Sequence, residues 1–97
     1  MATYVVLAKF TDQGIRTIKN SPQRASQVAE MAKTFSCEMK DVYWTLGQYD
    51  IVTIIEAKDE EAFMAFGLAL GSAGNVRTQT LRAFNKSEFG SIIGKLP

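Results

Sequence analysis

The stretch "KDVYWTLGQYDIVTIIEA", Lys40 to Ala57, decides the fold. Its two ends, "KDVYWTL" (Lys40–Leu46) and "IVTIIEA" (Ile51–Ala57), are rich in β-branched and aromatic residues and read as strands. Between them "GQYD" (Gly47–Asp50) supplies turn residues, and the separation suits a hairpin. Tyr43 and Trp44 are adjacent, so a strand sends them to opposite faces.

Upstream, "TYVVLAKF" (Thr3–Phe10) is another strand, apolar at nearly every position, and "TDQG" breaks it. "GIRTIKN" carries a short helical turn. Ser21-Pro22 then predicts a helix start, with Ser21 as N-cap and Pro22 in the first turn. Ala25, Val28, Ala32 and Phe35 recur at helical spacing, and the helix should end near Ser36. Downstream of the hairpin, Asp59 is the expected N-cap of a second helix, with Glu60 and Glu61 at the positive end of its dipole. Phe63, Phe66, Gly67 and Leu70 form its inner stripe, and Gly71 and Gly74 end it. "VRTQTLRAF" (Val76–Phe84) is the last strand. In the tail, Phe89, Ile92 and Ile93 suit a short helix.

The order is β-α-β-β-α-β. It predicts an α+β, ferredoxin-like domain: a four-stranded antiparallel sheet with two helices on one face. One domain is expected over residues 1–97, with its core at 3–84 and a C-terminal tail at 85–97. Val5, Val6, Leu7, Ile51, Val52, Ile54 and Ile55 cannot all face two helices. The second sheet face is therefore apolar too, and a second copy of the same sheet would cover it. A homodimer or higher oligomer, built as a dimeric α/β barrel, is the expectation.

Composition narrows the function classes. Eleven basic against ten acidic residues leave a net charge of +1, no field for a nucleic-acid backbone. The single cysteine, Cys37, forms no internal disulfide, which suits a reducing cytoplasm. The apolar run in "MATYVVLAKF" is too short for a signal or membrane span, so no membrane partner is expected. There is no histidine, which removes the usual Cys/His zinc sites and histidine general-base catalysis. "GSAG" is a helix stop and not a phosphate loop. No metal or cofactor is expected.

The strand order places the first strand between the third and fourth, which brings Lys9 near Asp50 and both near Thr78. Lys9 and Asp50 then form either a structural salt bridge or the polar end of an apolar cleft, with Lys9 free for a ligand carboxylate. Glu56 lies at the opposite end, on the strand face of Val52 and Ile54. Arg82 or Arg77 is its expected partner, at an interface or beside a buried general base. Tyr43 offers a ring to the core, an interface or a planar ligand. Tyr49, beside the turn, is a dimer anchor or a ligand contact. Cys37 has no activating base near it in sequence.

These residues carry a resemblance. "GQYD" is similar to the glycine-tyrosine-aspartate motif of the GYD family, with Gln48 inserted. "LAKFTDQGIRTIKNSPQRA" (Leu7–Ala25) resembles that family's first strand and helix entry, "GNVRTQTLRAF" (Gly74–Phe84) its last strand, and "IIGKLP" its ending. The resemblance spans almost the whole chain and implies the dimeric α/β-barrel superfamily. That superfamily includes monooxygenases of small aromatics, haem enzymes, isomerases and ligand-sensing domains. The missing histidine fits the haem enzymes poorly. The effector-binding domain of leucine-responsive and AsnC-type regulators is similar at a more distant level, with a "G-x-Y-D" hairpin; that likeness implies oligomers that bind small metabolites at subunit contacts. The expectation is a homo-oligomeric module binding or sensing a small metabolite near the hairpin and subunit contacts. The alternatives are a cofactor-independent enzyme on small aromatic or hydrophobic molecules, and a purely structural assembly component.

Overall fold

A computed structural model describes residues 1–97. Strand β1 (Ala2–Phe10) is followed by a short helix α1 (Asp12–Arg16), a 3-10 turn (Ile18–Asn20) and helix α2 (Ser21–Thr34). The hairpin strands β2 (Cys37–Trp44) and β3 (Ile51–Ala57) come next, then α3 (Glu60–Ser72), β4 (Val76–Ala83) and α4 (Lys86–Ile93). The sheet order is β2-β3-β1-β4 with every pair antiparallel, which is the expected ferredoxin-like arrangement.

Period-two alternation sorts the apolar strands into two faces. Tyr4, Val6 and Ala8 of β1, with Thr53, Ile55 and Ala57 of β3, are buried beneath the helices. Phe66 of α3, Ala32 of α2 and Cys37 of β2 complete this core. Tyr4 stacks on Phe63 with ring centroids 4.0 Å apart. On the opposite face the register aligns Val5 with Ile54 and Leu81, and Leu7 with Val52. No helix covers that side. The radius of gyration, 14.6 Å, exceeds the roughly 12.5 Å of a compact domain of this length, as the uncovered face and projecting tail require.

Several boundaries differ from expectation; β2, for one, ends at Trp44, short of Leu46. Strand β2 begins at Cys37, ahead of Lys40, and carries a bulge between Met39 and Asp41. The extra residue, Lys40, breaks the alternation, so its polar first half does not look like a strand. Helix α2 takes Ser21 as its first helical residue, because the 3-10 turn runs directly into it and Asn20 holds the cap position. The Ser21 hydroxyl is left to accept the Trp44 Nε1–H at 2.9 Å. Asp59 caps α3 as expected, accepting the Ala62 N–H at 2.8 Å. Helix α3 stops at Ser72, and Gly74 follows with φ of 87°. The tail forms α4 under a capping box between Asn85 and Glu88.

Candidate functional site: the open sheet face and its hairpin end

Lys9 lies opposite Arg77 at the end of β1, on the side of Val5 and Leu7. Its ammonium sits 5.4 Å from the centre of the Tyr49 ring, a cation–π distance. The Tyr49 hydroxyl donates to Gln79 Oε1 on β4, so the hairpin residue bridges across the end of β1. Lys9, Tyr49 and Gln79 thus form one polar corner. Sequence reasoning did not single out Gln79, although its register position opposite Leu7 follows once strand order is known.

Asp50 does not meet Lys9. Its carboxylate accepts the Phe10 N–H at 2.9 Å, and its own N–H donates to the Ala8 carbonyl at 2.8 Å. The expected ion pair is corrected by this geometry. Donors along β1 alternate between its two neighbours. The Phe10 donor falls on the β3 side just where β3 ends, and the Asp50 carboxylate extends the ladder by one bond. Lys9, one residue away, projects to the open face. The loop is closed by Thr45, whose N–H donates to the Asp50 carbonyl and whose hydroxyl donates to the Tyr49 carbonyl.

The second expected pair is also absent. Glu56 aligns with Thr3 and hence with Ala83, on the open face. Arg82 aligns with Tyr4 and so belongs to the helix side. Its guanidinium lies 4.4 Å from the Phe84 ring centre and donates to the Thr3 and Ala83 carbonyls. Arg77 sits at the far end of β4 and donates to the Gly71 carbonyl at 3.0 Å. Parity and distance therefore separate Glu56 from both arginines. Its register partner on β2 is Glu38, a like charge. Thr78 aligns with Ala8 and also lies on the helix side, away from Lys9.

Tyr43 and Trp44 divide as expected. Tyr43 aligns with Val52 on the open face and is 58% exposed. Trp44 turns to the helices and bonds Ser21. The structure thus gathers Lys9, Tyr43, Tyr49 and Glu56 on one surface, around Val5, Leu7, Val52, Ile54 and Leu81. It leaves Thr78 and Arg82 on the other side, with Asp50 at the sheet end.

Two acids titrate abnormally, both in the core. Burial raises the Tyr4 phenol above its usual range, and the Glu60 carboxylate adds to the effect. Burial likewise raises the Cys37 thiol, with Asp59 contributing. A buried thiol held protonated is a poor nucleophile, and it donates to the Phe35 carbonyl at 3.5 Å. No three His, Cys, Asp or Glu side chains cluster as metal ligands. No helix is long and apolar enough to cross a membrane.

Known proteins supply independent context. A relative from Thermus thermophilus, named glutamine synthetase and cystathionine beta-lyase binding protein, is 37% identical over 84 residues, covering 86% of this chain and 88% of its own. Among solved structures, TTHA0845 from the same species superposes with a TM-score of 0.57 at 26% identity, covering 88% of this chain and 95% of that one. FFRP-DM1 superposes with a TM-score of 0.65 at 17% identity, covering 87% and 100%, a likeness of fold alone. A family model of the GYD domain matches residues 4–93, from the first buried tyrosine of β1 to the end of α4. The chain belongs to the GYD family.

Proposed function

We propose that the chain is a non-catalytic binding module that pairs with a second copy through its open sheet face and presents its outer helices to a metabolic enzyme. The observation that carries self-association is the aligned apolar patch of Val5, Leu7, Val52, Ile54 and Leu81, of which the first four are only half-buried and Leu81 is 46% exposed. A single patch of this kind is self-complementary about a two-fold axis. Charge fixes the favoured orientation. Lys9 and Glu56 occupy opposite ends of the face, and neither has an ion-pair partner within the chain. A two-fold axis running across the strands lays the Lys9 end of one copy over the Glu56 end of the other. A small metabolite held by Lys9, Tyr43 or Tyr49 would then lie between the two copies.

The partner class comes from the relative's name, and the structure offers a surface for it. Met64 and Leu68 of α3 are 62% and 67% exposed on the outside of the helix layer, where sheet pairing leaves them free. Phe89 and Ile93 of α4 add exposed apolar area. Light scattering at micromolar concentration tests the first half, and a mass of one chain would sink it. Capture of purified glutamine synthetase or cystathionine beta-lyase on the immobilised chain tests the second. Failure of both enzymes to bind removes the enzyme-partner reading and leaves self-association standing.

A further inference from the structure

On the helix side of the sheet, a cavity of about 90 Å³ lies among α2, the end of α3 and the strands. Its walls are apolar, among them Val6, Val28, Val42 and Leu70. The gap exists because small side chains, Ala8, Ala25 and Ala73, stand where larger ones would close it. Two polar features are built into it. Ser21, only 4% exposed, lines the wall. Its hydroxyl accepts from Trp44 Nε1 but donates to no acceptor in the chain. Arg24, one turn further along α2, stands at the mouth, where the cavity meets a polar groove that also contains Gln13, Thr17 and Asn75.

The Arg24 guanidinium is held in place by neutral oxygens alone. Nη1 donates to the Thr17 carbonyl at 2.8 Å and the Thr17 hydroxyl at 2.7 Å, and Nη2 donates to the Gly14 carbonyl at 3.1 Å. No carboxylate lies within ion-pair distance, so its charge is uncompensated. Nε–H and one Nη2–H remain free, two donors suited to both oxygens of a carboxylate. Asn75 adds a free amide N–H₂, because its Oδ1 is taken by Gln13 Nε2 at 3.1 Å. Neither the cavity nor the groove is lined by an aspartate or glutamate, so nothing there would accept an ammonium group.

We infer that this cavity binds a short aliphatic monocarboxylate, with its chain among the valines and its carboxylate on Arg24 and Asn75. An apolar cavity of ~150 Å³ takes the six carbons of benzene, so the volume of about 90 Å³ here encloses roughly three or four, and a chain of about four to six carbons leaves its carboxyl end in the open mouth. The ligand carries no amino group. The inference is independent of sheet-face pairing, since the cavity lies on the other side of the sheet and within one chain.

Trp44 is the only tryptophan and is bonded to the cavity wall, so its fluorescence reports occupancy. The probe is hexanoate, with 1-hexanol and norleucine as controls. Hexanoate should change the Trp44 emission saturably and raise the melting temperature, and both controls should bind at least tenfold more weakly, the order of about one charge-assisted contact. Arg24→Gln should weaken hexanoate by a similar factor. Ala25→Leu fills the cavity while leaving Arg24 and its clamp in place, so it decides the matter if Arg24→Gln fails to fold. It should abolish the fluorescence response. The inference is overturned by no saturable response up to about 10 mM hexanoate, where even a millimolar site would be filled. It is equally overturned by equal binding of hexanol or norleucine, or by an Ala25→Leu protein that responds like the parent.

Discussion

The Asp50 carboxylate accepts the Phe10 amide hydrogen at 2.9 Å, and this bond explains the aspartate of the GQYD turn better than any ligand role. The side chain stands in for a missing strand residue, carrying the β1–β3 ladder past the point where β3 ends. Asp50→Ala leaves a partly buried donor without a partner and should lower stability by about 1–3 kcal/mol. Asp50→Asn keeps an acceptor oxygen and should cost less. Lys9→Met removes no ion pair within the chain and only the Tyr49 cation–π contact, so compared as monomers it should stay within roughly 1 kcal/mol of the parent. Urea unfolding of the three variants checks the order. A Lys9→Met loss as large as that of Asp50→Ala would restore the salt bridge that the geometry denies.

The Tyr4 hydroxyl is buried and has no hydrogen-bond partner, while its ring stacks on Phe63. The ring stabilises and the oxygen does not. Tyr4→Phe should therefore be neutral or stabilising, because it removes an unsatisfied polar atom and keeps the stack. Tyr4→Leu loses the aromatic contact, worth about 0.5–1.5 kcal/mol beyond area burial. Thermal unfolding distinguishes the two. A clear loss in Tyr4→Phe would mean that the hydroxyl has a partner in solution.

The same burial sets a pH dependence. Cys37 and Tyr4 are acids whose folded values lie above their ordinary 9.0 and 10.0. The folded state holds their protons more tightly than the unfolded state does. Their contribution to stability is whole below the ordinary values and declines as pH rises from each ordinary value through the raised one. The unfolding midpoint should begin to fall near pH 9, first through the thiol. Cys37→Ala should remove the earliest part of that decline. Native Cys37 should also resist alkylation at neutral pH and react only on unfolding.

Gly14 is the point where α1 meets the turn before β4. A Cβ there would stand 2.0 Å from the Asn75 carbonyl oxygen, a backbone atom that cannot swing aside. Thr11 ties the same junction, donating its N–H to that oxygen at 3.1 Å and its hydroxyl to the Gly74 carbonyl at 2.5 Å. Gly14→Ala must push α1 away from the turn before β4, and overpacking of this kind costs about 1–3 kcal/mol. Denaturant unfolding measures the loss. Amide exchange at Thr11 should accelerate in the variant, since its acceptor is the atom displaced.

Much of this fold was legible because its signals are local. Apolar runs, turn glycines and the Asp59 cap named the βαββαβ order, and period two separated Tyr43 from Trp44 and set Glu56 on the face of Val52 and Ile54. The start of β2 was hidden because the Lys40 bulge interrupts that period. The expected ion pairs failed for a different reason. Strand order alone set Lys9 beside Asp50 and Glu56 near Arg82, but a backbone donor outcompeted the lysine, and one step of register put Arg82 on the opposite face. Ser21 and Arg24 were hidden more deeply. Their roles depend on where a 3-10 turn joins α2 and on the cavity left between the helices and the sheet, and neither feature has a signature in composition.

Leu81 provides the sharpest test of the uncovered face. It is 46% exposed on the edge strand β4, aligned with Val5, and makes no part of the helix-side core. In a single chain, a charge there meets solvent, so Leu81→Glu should leave unfolding within about 0.5 kcal/mol of the parent when both are compared as monomers. Between two apposed sheets the same carboxylate would be buried without a partner, at several kcal/mol per ion. The variant should therefore run as one chain in light scattering at concentrations where the parent is paired, with unchanged circular dichroism. Its melting temperature should also lack the concentration dependence that association would confer on the parent. A Leu81→Glu protein that pairs as tightly as the parent would place the self-contact elsewhere, and the exposed ridge of Met64 and Leu68 on α3 would be the next surface to charge.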